Sequence, residues 1–91
     1  METTNVKFYM ATYEPYEADE QPTKEVVAVF VDEVQGVING ERHFLSYAQI
    51  GQHSECSESF LRESCRKATE KEYKELFNEL TNLVGYNLNV L

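Results

Sequence analysis

Residues Val26 to Val31 read Val-Val-Ala-Val-Phe-Val, an apolar run that is mostly β-branched and unbroken by any polar residue. A half-buried strand alternates apolar and polar positions, whereas a run without alternation needs cover on both faces. This segment is therefore expected at the centre of a sheet. It cannot be a membrane span, because a span needs about 18 or more apolar residues. Asp32 and Glu33 end the run, and Gln35-Gly36 begin a loop.

The rest of the chain supplies partners for that strand. Val6, Phe8 and Met10 alternate with Lys7, Tyr9 and Ala11 and predict a strand over residues 5–13. Residues 14–23 hold Pro15 and Pro22 and the acids Glu14, Glu17, Asp19 and Glu20, and predict a connection between two antiparallel strands. Asn39-Gly40 can close a tight hairpin after Val37-Ile38, or residues 35–42 can form one irregular loop; the loop is the expectation. Strand character returns from His43 to Ile50 and stops at Gly51. Residues 51–59 are polar and small, and predict a loop approaching a short helix capped by Ser57 or Ser59.

Thr69-Glu70-Lys71-Glu72 is a capping box. Tyr73, Leu76, Phe77, Leu80, Leu83 and Val84 follow at steps of three and four and make one stripe of a helix. Gly85 suits its end, and Tyr86, Leu88 and Val90 alternate as a terminal strand. The fold expected is α+β, in β-β-β-α-α-β order. It is a two-layer arrangement, with an antiparallel sheet of three to four strands and one main amphipathic helix on one face. Its expected core is Val27, Val29, Phe30, Leu45, Tyr73, Leu76, Phe77, Leu80, Leu83 and Leu88. The 91 residues make one domain, residues 1–91.

Charge narrows the function. Sixteen acids face eight bases, for a net charge of −8. That disfavours direct nucleic-acid binding, which draws its affinity from Lys and Arg on phosphates. No secretory signal or membrane span is visible, so a cytoplasmic setting with reduced thiols is expected. His43, His53, Cys56 and Cys65 are the one candidate metal set, since four N/S ligands suit tetrahedral zinc. Their spacing matches no common zinc knuckle. The expectation is no metal and no cofactor, with a small zinc domain as the alternative. A cysteine-dependent enzyme using Cys56 or Cys65 is the second alternative.

Tyr47-Ala48-Gln49-Ile50-Gly51-Gln52-His53 leads into a Ser/Cys stretch, followed by Ala68-Thr69, Glu72-Tyr73, Glu79-Leu80 and Gly85-Tyr86-Asn87-Leu88. Over residues 26–91 this resembles short proteins encoded on phages and conjugative elements of gut bacteria. The resemblance implies no activity; it implies a bacterial cytoplasmic setting and an accessory role. The leading expectation is a non-enzymatic interaction protein that binds a protein partner. Its candidate contacts are the acidic loop, with Glu14, Tyr16, Glu17, Asp19 and Glu20, and the Gly51-Gln52-His53-Ser54 segment.

Overall fold

The computed structural model describes residues 3–13, 21–48 and 53–91, with the side chain of His53 left out. The elements run β1 (Thr4–Tyr13), β2 (Thr23–Ile38), β3 (Glu41–Tyr47), β4 (His53–Ser57), α1 (Glu58–Ser64), β5 (Cys65–Lys67), α2 (Glu70–Glu79), a π-helical turn (Leu80–Val84) and β6 (Leu88–Val90). The α+β class is as expected, but the sheet is larger. It has six strands, and it is mixed because β6 runs parallel to β1.

The path across the sheet is β4-β3-β2-β1. The far edge of β1 is divided between two short strands. β6 takes Thr4–Val6 and β5 takes Tyr9–Ala11. An amide ladder ties the first of these ends together: Asn89 donates to Asn5 at 2.9 Å, and Asn5 donates to Asp32 of β2 at 2.8 Å. The apolar run sits in β2 between β1 and β3, as its composition demands.

Alternation along β2 divides the core into two. Val26, Ala28 and Phe30 join Val6, Phe8, Tyr47, Leu76 and Leu80 on the α2 side. Val27, Val29 and Val31 join Ala11, Phe44, Cys56, Phe60 and Leu61 on the α1 side. Helices thus cover both faces, in place of the single helical layer expected. The seven residues of α1 span about 10 Å at 1.5 Å per residue. In a flat sheet β4 and β5 would lie about 19 Å apart, at four steps of roughly 4.8 Å. The sheet must therefore curl around α1, which packs on β1, β3, β4 and β5.

Two expectations about the helices need correction. Ser57 caps α1 by accepting from the Phe60 amide, but the residues before it, His53–Ser57, form a strand and not a loop. The capping box of α2 is present in both directions, between Thr69 and Glu72. Its stripe does not continue to Leu83, which is 81% exposed. The chain widens into a π turn at Leu80, where Gly85 N–H donates to Leu80 C=O at 3.0 Å. A wider turn advances fewer degrees per residue, so Leu83 rotates off the buried face. Gly85 then takes the left-handed cap at φ 96°. Among the described residues, no helix is long and apolar enough to cross a membrane.

Candidate functional site

The first candidates to locate are the His and Cys residues. His43 pairs with Ser57 across β3 and β4, and Phe44 pairs with Cys56. Neighbouring strand positions face opposite ways. Leu45 and Tyr47, in step with His43, pack on the α2 side, whereas Phe44 and Cys56 pack on the α1 side. His43 and Cys56 therefore project from opposite faces. His43 Nδ1 lies 3.0 Å from Glu55 Oε1 on its own side. Cys65 sits on β5 opposite Ala11. Among the described residues, no three His, Cys, Asp or Glu side chains converge to hold a metal ion. The side chain of His53 lies outside the described residues, as do Gly51, Gln52, Glu14, Tyr16, Glu17, Asp19 and Glu20. Ser54 is exposed on β4, opposite Ser46.

Both cysteines are free thiols. Burial pushes Cys56 up to about 11, against the smaller opposing effect of its hydrogen bond with Ser46. Burial raises Cys65 as well. A nucleophilic cysteine needs the opposite shift, toward thiolate at neutral pH. Partial burial on the same face of the sheet raises the phenols of Tyr9 and Tyr13; Tyr13 is raised further by the neighbouring Glu25 carboxylate. On this face the phenol and thiol groups are held protonated. Tyr13 stacks on Phe60 at 5.8 Å between ring centres. Tyr13, Glu25, Ser46, Cys56 and Phe60 help to line a groove of about 720 Å³.

Sequence reasoning missed a different feature. β2 outruns β1: its pairing to β1 ends at Phe30, but it goes on pairing with β3 to Ile38. The step from Phe30–Leu45 to Val34–Phe44 leaves residues 31–33 without partners on β3, and a second shift separates Val34 from Gly36. Such bulges bend a strand and increase its twist. Beyond them Val37 pairs with Arg42 and Ile38 with Glu41, closed by Asn39 (φ 55°) and Gly40 (φ 77°). Two consecutive positive φ values make the tight turn whose twist matches a hairpin. The Asn-Gly pair thus closes a hairpin, and the irregular loop expected over 35–42 is replaced by ladder.

This hairpin projects apolar side chains. Val34 is 44%, Val37 65% and Ile38 53% exposed. Among the described residues no strand pairs with the β1-side edge of residues 34–38. Its turn end, where Glu41 and Arg42 pair with Ile38 and Val37, is tied to α1. Glu58 accepts from the Arg42 amide at 2.8 Å and from the Arg42 guanidinium at 3.0 and 3.3 Å. Glu41 accepts from the Ser59 amide. The Arg42 guanidinium also lies 5.2 Å over the Phe44 ring. The hairpin is therefore an anchored arm with an open backbone edge. The clue in the sequence was Asn39-Gly40 between Val37-Ile38 and Phe44-Leu45. No protein-family model, curated protein or solved structure matches the chain.

Proposed function

We propose that the chain is a non-enzymatic interaction protein, an accessory of a mobile genetic element acting in the bacterial cytoplasm, and that it captures a protein partner on the β2–β3 hairpin. One observation carries this reading: Val34, Val37 and Ile38 are exposed beside a strand edge left unpaired among the described residues. Exposed apolar strand edges are templates for strand addition, and native proteins usually blunt or cover them. Main-chain hydrogen bonds supply affinity in such pairing, and alternate side chains supply selectivity.

Charge selects the occupant. Asp32, Glu33 and Glu41 flank the arm, and the whole chain carries −8. The matching partner is an extended segment with apolar residues set among Lys or Arg. A second copy of the chain would bring like charge to like.

The test is capture from bacterial host lysate by wild type and by Val37→Thr/Ile38→Thr. Threonine keeps strand propensity and removes apolar surface. The expected result is a partner that crosslinks to residues 34–38 and is lost from the double variant. Equal recovery on both proteins, or no partner at low salt, would overturn the reading. Dimerisation abolished by the same substitutions would assign the arm to a second copy instead, and would equally overturn it.

A further inference from the structure

Three of the chain's eight Lys and Arg residues fall together, although they lie far apart in sequence. Lys7, Arg42 and Arg62 line one cleft between α1 and the sheet. Lys67 lies opposite Tyr9 in the β1–β5 ladder, on the face that Tyr9 presents to the same cleft. The cleft measures about 460 Å³, a size typical of small-molecule sites. Its floor is apolar, from Val29, Val31, Phe44 and Leu61. All of its lining residues are among the described ones.

Two carboxylates stand near these cations, and both are already engaged. Glu58 is held by Arg42 through the three bonds given above. Glu41 accepts from the Ser59 amide, with Arg62 close enough to stabilise its charge. Lys7 and Arg62 have no ion-pair partner within 4 Å among the described residues. Three cations, Lys7, Arg42 and Arg62, against the single carboxylate of Glu58 in the lining leave a positive cleft on an otherwise strongly acidic protein. The Tyr9 phenol on its wall is held protonated by burial and is available as a donor.

A small cleft with an apolar floor and an excess of cations at its rim suits an anion that carries a flat apolar body. We infer that this cleft binds a small organic phosphate of nucleoside-monophosphate size, with its phosphate at Lys7 and Arg62 and its ring on Val31 and Leu61, beside the Arg42-covered Phe44. A polymer is disfavoured, because its further phosphates would run over the acidic surface. The inference uses none of the arm's exposed apolar residues and stands apart from the partner reading.

The experiment titrates the full chain with adenosine monophosphate and follows amide chemical shifts; parallel arms use adenosine and inorganic phosphate. Saturable shifts confined to residues around Tyr9, Val31, Phe44 and Leu61 are expected, with the nucleoside and phosphate each binding at least about tenfold more weakly. Lys7→Gln and Arg62→Gln should each weaken binding about tenfold. Both positions are exposed, so their spectra should otherwise match wild type. Lys74→Gln, on the exposed face of α2, should leave binding unchanged. Absence of saturable shifts at millimolar nucleotide would overturn the inference. So would undiminished binding by both cleft variants, or inorganic phosphate binding as tightly as the nucleotide.

Discussion

Phe8 joins the sheet to α2, and its removal should be among the costliest single changes in the chain. The ring is 1% exposed. It stacks on Tyr73 at 4.4 Å and 10° between planes, and meets Phe77 at 6.4 Å and 57°. Phe→Ala in a core costs about 3–5 kcal/mol, from lost transfer energy and from the cavity left behind. Stacking adds roughly 0.5–1.5 kcal/mol beyond area. A chain of 91 residues at about 0.05–0.15 kcal/mol per residue has a total stability of roughly 5–14 kcal/mol. Phe8→Ala should therefore remove between roughly a fifth and all of that stability. Urea unfolding followed by circular dichroism is the assay. With an m-value of about 1.5 kcal/mol/M, the midpoint should fall by about 2–3 M. Phe8→Leu keeps most of the volume, so a Phe8→Leu/Tyr73→Leu cycle isolates the ring pair and should give about 0.5–1.5 kcal/mol of coupling. A loss below about 1 kcal/mol for Phe8→Ala would refute the claim that this ring bridges the layers.

Glu72 is held down to about 2, first by the Arg66 guanidinium and then by the Thr69 amide. A carboxylate depressed in the folded state contributes stability above its unfolded value and loses it as pH falls toward the folded one. The melting-temperature gap between wild type and Glu72→Gln should therefore be full at pH 6 and shrink from about pH 4.5 toward 2; parallel curves would refute the assignment. Cys56, pushed up to about 11 and 7% exposed, should alkylate far more slowly in native protein at pH 8 than in urea. It should also lag behind Cys65, which is less buried. Native Cys56 reacting at the rate of a free thiol would contradict the packing described.

Features set by local chemistry were legible in the sequence. The run from Val26 to Val31 marked the doubly covered centre of the sheet because each of its faces needs its own apolar partners. The Thr69–Glu72 box marked a helix start because its two hydrogen bonds close within four residues. Features set by neighbours were not legible. His53–Ser57 and Cys65–Lys67 have little strand propensity and are strands because β3 and β1 pair with them. The π turn depends on how Leu80 seats in the core, where it is fully buried, and no periodicity announces it. The cationic cleft is assembled from β1, β2, β3 and α1, so its residues show no spacing pattern at all.

The bulged step in β2 relates the two surfaces. Without it, residues 31–38 would continue the ladder with β3 in one register. With it, Val34 comes opposite Phe44, and opposed residues on antiparallel strands share a face. Val37 likewise shares a face with Arg42. The α1 side of the sheet thus passes from a closed core at Val27 and Val29, through the cleft at Val31 and Phe44, to the open arm at Val34 and Val37. Charge follows the same line: cations gather where the cleft opens, Asp32 and Glu33 stand where the arm begins, and Glu41 stands at its tip. Arm-to-arm pairing of two copies would set these acids together, and salt would relieve that repulsion. Pairing with a basic segment would be weakened by the same salt. The sign of the salt dependence therefore tells the two kinds of occupant apart.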